Sequence, residues 1–179
     1  MANFFEVDRS RDLAGMKAYI RSHNPQQMMS EIRSAAVDPN DVLDLAEMIK
    51  VAFNEQGRLH AKVLYAEVLR EPDRLQPDVD VMLVRRDLCA CSLQDDPIEA
   101  LAVIRGDSNL IAEYPALCMV VAIGVFQKGR AQEASWILSH LEKLPSAVLI
   151  RGFEDTELRL DDVKRLRLAV KAHLAGYRG

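Results

Sequence analysis

Cysteine is scarce and odd in number: three residues in 179, two of them, Cys89 and Cys91, only two positions apart. That count argues against a disulfide framework and for three free thiols in a reducing compartment. Eight glycines and seven prolines are too few for a collagen-like or low-complexity chain. Positive charge is in deficit, 23 Lys and Arg against 27 Asp and Glu for a formal charge of −4, so no nucleic-acid partner is expected. Long apolar runs are missing too. The longest, from Pro115 to Phe126, falls short of the about 20 residues that span a bilayer. The opening "MANFFEVDRSRDL" mixes acids and bases with no apolar run behind a charged start, so no signal peptide and a cytoplasmic location are expected.

The motifs of common chemistry are missing as well. There is neither GxGxxG nor GxxxxGK[ST], and the four histidines, His23, His60, His140 and His173, lie far apart. None stands in HExxH or three residues after a Glu, so neither metal nor cofactor is expected. Cys89 and Cys91 would project about 200° apart on a helix, which suits packing better than chelation. Ser139 and His140 are adjacent, so helical geometry separates a would-be nucleophile from its base. Asp95 and Asp96 precede Pro97, where carboxylates cap a helix. No catalytic residue is expected, and the chain does not read as an enzyme.

What remains is an ordinary globular composition, 49% apolar and 28% charged, read as a single domain over 1–179. Strand signals are scarce and helix signals abound. "PNDVLDLAEMIKVAFNEQG" carries Val42, Leu45, Ile49 and Phe53 at three- and four-residue steps, with Asn40 or Asp41 as cap and Gly57 as stop. "RLHAKVLYAEVLREPD" continues as a second helix, with stripes at Leu59, Val63 and Ala66 and at Ala61, Leu64, Tyr65, Val68 and Leu69, before Pro72 ends it. A second pair follows from Asp78, its second helix opening at Pro97 and closing at Gly106. The third is "IAEYPALCMVVAIGVFQKG" followed by "RAQEASWILSHLEKLP", with Gly129 in the turn and Trp136 packing in the second helix.

These pairs share a frame. Phe53 and Phe126 each stand eight residues before an alanine, Ala61 and Ala134, and nineteen before a proline, Pro72 and Pro145. Ala61, Ala100 and Ala134 mark steps of 39 and 34 residues. Helices at the ends complete the layout: an N-terminal hairpin within 1–37, packing through Leu13, Met16, Ile20, Met28, Met29 and Ile32, and a C-terminal capping helix over 156–176 with Val163, Leu166, Val170 and Leu174 on one stripe. The basic cluster Lys164, Arg165, Arg167 and Lys171 reads as complementing that helix's dipole rather than as a surface for an acidic partner.

A helix pair repeating at about 34 residues is the period of the tetratricopeptide repeat, and "GRAQEA" followed by Leu138 and Leu141 resembles its turn and packing positions. The resemblance covers 41–145 as three degenerate hairpins. It departs from the family at the aromatic-plus-glycine signature of the first helix, where Asp87 intrudes in the second unit and Cys118, Val121 and Ala122 stand in the third. It implies an all-α fold, antiparallel helical hairpins stacked as a short TPR-like α-solenoid with extra helices at both ends. It further implies a groove lined by the first helices: Leu43, Ala46, Lys50 and Phe53, then Met82, Arg85 and Cys89, then Ala116, Met119, Ile123 and Gln127. Such a groove would take an apolar or amphipathic helix of another protein. In size, repeat number and turns such as "FQKGRAQEA" the chain also resembles small helical-repeat chaperones of bacterial type III secretion. The alternatives are a self-associating homodimeric scaffold, and a groove filled by the chain's own terminal helices.

Overall fold

The structure, a computed structural model, describes residues 13–52, 55–145, 150–153 and 156–176. Among them the chain is helical apart from one small hairpin: ten α-helices, a 3-10 turn and two short strands. It divides into two compact units, Met1–Cys91 and Ser92–Gly179.

The first unit holds α1 (Leu13–Ser22), α2 (Pro25–Ser34), α3 (Pro39–Ala52), α4 (Glu55–Val68), the 3-10 turn Pro72–Arg74 and most of α5 (Val81–Asp95). Local chemistry sets the starts. Asn24 Oδ1 accepts from the Gln27 amide at 2.8 Å while the Asn24 amide donates to Gln27 Oε1 at 2.9 Å, a reciprocal capping box ahead of Pro25. Asp38 Oδ1 accepts from the Asn40 amide at 2.8 Å, so Asp38 caps α3 in place of the anticipated Asn40 or Asp41. Asn40 is spent on the 3-10 turn instead, its Oδ1 accepting from the Gln76 amide at 2.9 Å. Gly57 is no stop: it lies within the first turn of α4.

α1, α2 and α3 all lie against α4. The core between them is Met16, Ile20, Met28, Met29, Ile32, Val42, Leu45, Ile49, Leu64, Tyr65 and Val68. Of the two stripes read on α4, the one holding Ala61, Leu64, Tyr65 and Val68 faces inward, and Leu59 is exposed.

After α2 the chain reverses through Ala36, whose φ of 49° lies in the left-handed region. The Ala36 amide donates to Arg33 O at 3.3 Å and the Val37 amide to Ile32 O at 3.4 Å, the paired bonds of a Schellman turn. An alanine there carries a Cβ penalty that glycine avoids. Ala36 is exposed, so its methyl contributes little packing. Ala36→Gly is expected to raise stability by about 0.5 kcal/mol, the strain relief being partly offset by a freer unfolded chain; a urea melt with no gain in midpoint would refute this.

The second unit contains the end of α5, then α6 (Pro97–Gly106), α7 (Asn109–Glu113), α8 (Pro115–Gln127), α9 (Ala131–Leu141), strands β1 (Ile150–Phe153) and β2 (Thr156–Leu158), and α10 (Leu160–Gly176). Asp96 caps α6 as anticipated, accepting from the Ile98 amide at 3.1 Å. The anticipated helix from Ile111 to Gln127 is cut in two. Pro115 has no amide hydrogen to continue α7, and Tyr114 before it leaves the helical region at φ −131°, ψ 60°. Gly129 turns the chain between α8 and α9 at φ 77°, with the Arg130 amide donating to Val125 O at 3.1 Å and the Gly129 amide to Phe126 O at 2.9 Å. The capping helix expected over 156–176 begins only at Leu160, because Thr156–Leu158 form β2, paired antiparallel with β1 in the register Ile150 to Leu158 and Phe153 to Thr156 with an irregularity between.

α8 is apolar on every side and sits centrally, with α6, α7, α9, α10, β1 and β2 all against it. One close approach is built in: a Cβ at Gly124 would stand 2.7 Å from Pro97 Cγ, so α6 and α8 meet where only glycine fits.

Candidate functional site

The first unit assembles one polar cluster inside its apolar surroundings. Asp87, on the largely apolar α5, is 5% exposed. Lys50 Nζ, on α3, lies 2.6 Å from Asp87 Oδ2 and 2.8 Å from Glu47 Oε2. Arg86 donates to Asp87 Oδ1 from Nε at 2.9 Å and from Nη2 at 2.6 Å. The buried Tyr65 donates its hydroxyl to Glu47 Oε1 at 2.7 Å, and Lys50 Nζ stands 5.7 Å from the centre of the Tyr65 ring. Burial alone would carry such charges at a penalty, and here each has an opposite charge in hydrogen-bonding reach.

The titrations follow from that packing. Burial, then the bond to Glu47, drives the Tyr65 hydroxyl far above its usual pKa. For Lys50 burial works downward, but the bonds to Asp87 and Glu47 outweigh it and the ammonium is held more firmly than usual. Burial pushes the Cys89 thiol up to about 12. Cys91 rises to about 11, by burial and the nearby Asp87, against the pull of Lys50 and Arg58. Thiols that burial keeps protonated offer no thiolate nucleophile at neutral pH. The Lys50–Asp87 ion pair ties α5 to α3.

A raised thiol pKa contributes stability that is complete below the usual value of 9.0 and is lost as pH climbs toward about 12 for Cys89. Alkaline titration of stability should therefore fall through that window, and Cys89→Ala should flatten the fall. A thiol reagent at pH about 8 should label native Cys89 only as fast as the protein opens; immediate labelling would contradict the burial.

The groove residues inferred from the sequence separate by exposure. Ala46, Cys89, Ala116 and Met119 are buried. Leu43, Lys50, Met82 and Arg85 are half-buried, and Ile123 and Gln127 are exposed. Phe53 lies outside the described residues. Lys50 and Asp87, 37 residues apart, are joined by an ion pair that links α3 to α5. Sequence reasoning listed Lys50 and noticed Asp87 only as an intruder.

A second feature of this unit is a cavity of about 370 Å³ at the end of α2, floored by Ile32, Val42 and Val68 and rimmed by Arg33, Arg70 and Arg74. Its arginines are matched from within. Arg33 grips Glu67 through Nε at 3.1 Å and Nη2 at 2.7 Å, Arg70 adds a bond to Glu67 at 3.2 Å, and Arg74 holds Glu71 at 2.5 Å. The Arg33 bond holds the Glu67 carboxyl below the usual carboxylate range.

Among the described residues no group of three His, Cys, Asp or Glu is placed to hold a metal ion, and no helix is long and apolar enough to cross a membrane. No protein-family model, curated protein or solved structure matches the chain.

Proposed function

We propose that this protein is a protein-interaction module of TPR-like helical hairpins, in which α3 and α5 of the first unit and α8 of the second each present apolar side chains to an apolar or amphipathic helix of a partner. Its role is binding without catalysis, in the cytoplasm, in the manner of a chaperone or adaptor of the type III secretion kind. The observation that carries the reading is the placement of exposed large apolar side chains on those helices: Leu83 on α5 at 38% and Ile123 on α8 at 36%. Half-buried Leu43 and Met82, with Lys50 and Arg85, would supply the rest of the face in the first unit, and Gln127 would flank Ile123 in the second. The placement of α8 against both α6 and α9 supports the reading, since a repeat array seats each first helix between two second helices.

Leu59, exposed on α4, lies off that face and favours a second reading, a homodimer closed through its own apolar surface.

The two are separated by Leu83→Glu and Ile123→Glu, compared with the parent in affinity capture and in sedimentation. Under the first reading each variant stays folded and monomeric and loses captured protein by about tenfold or more. A parent that dimerises with concentration and captures nothing, or variants that capture as the parent does, would remove the partner-binding face.

A further inference from the structure

α10 carries a surface that the array does not use. Its first turn carries Asp161 and Asp162, and from Val163 to Gly176 it holds Lys164, Arg165, Arg167 and Lys171 with no acidic residue, in a chain whose formal charge is −4. Arg167 turns inward and pairs with Glu142 at the end of α9. Lys164, Arg165 and Lys171 are exposed, and none makes an ion pair among the described residues.

The helix dipole does not account for them. Its influence fades beyond the terminal turn, and the basic residue in the last turn is His173, while Lys164 and Arg165 lie in the first half of the helix. The dipole reading made from the sequence therefore fails for the cluster. At the centre of the three cations stands Leu168, 67% exposed, the most open large apolar side chain among the described residues. Helical spacing places Lys164, Arg165, Lys171 and Ala172 directly around it.

We propose that this outer face of α10 docks an acidic segment of a partner protein, one that sets an aliphatic side chain among carboxylates. Leu168 supplies the apolar anchor, and Lys164, Arg165 and Lys171 supply complementary charge around it, the arrangement of a small hot spot with a polar rim. A lipid surface fits less well. Val163 and Val170 are buried and Leu160, Leu166 and Leu174 are half-buried, leaving Leu168 as the one exposed leucine of the helix where an interfacial helix needs a whole apolar face. Nucleic acid would want more cations than three, on a protein that is not net acidic.

The test is fluorescence anisotropy of the full chain with a labelled helical peptide in which glutamates flank one leucine every two turns. Saturable binding is expected, weakened about tenfold by Lys164→Glu with Lys171→Glu, about fivefold by Leu168→Ala, and progressively by added salt. All three positions are exposed, so helicity should match the parent; Arg165→Glu serves as an independent charge reversal if the double variant loses helix. Absence of saturable binding, or binding indifferent to both Leu168 and the charges, overturns the proposal. So does Leu168-dependent sedimentation with phosphatidylserine vesicles by a chain that ignores the peptide.

Discussion

Met119→Glu is expected to unfold the second unit at neutral pH, while Ile123→Glu, one turn further along the same helix, leaves it intact. Met119 is 6% exposed on a helix enclosed by six other elements, so a carboxylate there has no water. An unpaired buried charge costs on the order of 3 to 5 kcal/mol, a large share of the about 5 to 15 that a domain has. Ile123 is 36% exposed and should tolerate the same change within about 1 kcal/mol. The loss should be partly reversed by acid. The new carboxyl would have a folded pKa raised above its unfolded value, so stability is retained below about pH 4 and lost as pH rises. Circular dichroism of both variants at pH about 4 and about 7 reads this out. Two equally helical proteins at neutral pH would mean that the Met119 face of α8 is open, and Met119 would return to the groove.

That contrast also marks where the sequence ceased to be informative. Helix boundaries were legible wherever a residue with special backbone chemistry stood at them. Gly129 was read as a turn and adopts φ 77°; Asp96 with Pro97 was read as a helix start and makes that cap. Gly57 misled because a glycine is also tolerated inside the first turn of a helix, where α4 holds it. Pro115 was read through because the apolar pattern continued across it, although an amide-less residue had to interrupt the helix.

Faces were harder to read than boundaries. α4 offered two apolar stripes, and only packing chose between them. α8 offered no choice at all, since a helix apolar on every side has no stripe to orient it, so Ala116 and Met119 were assigned to a groove by position in the repeat while the structure buries them. Strands of four and three residues gave too short an alternation to register. Asp87 was visible as an anomaly, but its meaning depended on Lys50, 37 residues away, and no local rule connects the two.

Asp87 gives the other large effect. Asp87→Ala removes a carboxylate that Arg86 and Lys50 share, and among the described residues Lys50 keeps its ion pair with Glu47. Breaking a fully buried pair costs about 3 to 5 kcal/mol. The Lys50 and Arg86 side chains keep 27% and 32% of their surface in water, which screens the loss and lowers the expectation to about 2 to 3 kcal/mol. Asp87→Asn, which preserves size and hydrogen-bonding capacity, should cost less, about 1 to 2 kcal/mol. The informative variant is the double replacement Lys50→Met with Asp87→Leu. If the cluster chiefly fixes how α5 seats on α3, swapping both charges for apolar groups of similar volume should restore stability to within about 1 kcal/mol of the parent. Amide exchange in α5 would then report whether the helix still docks in one arrangement. A double variant as unstable as Asp87→Ala would instead mean that the bonds to Asp87 are net stabilising in themselves, beyond their role in register. The single and double variants together separate the penalty of an orphaned charge from the net worth of the pair.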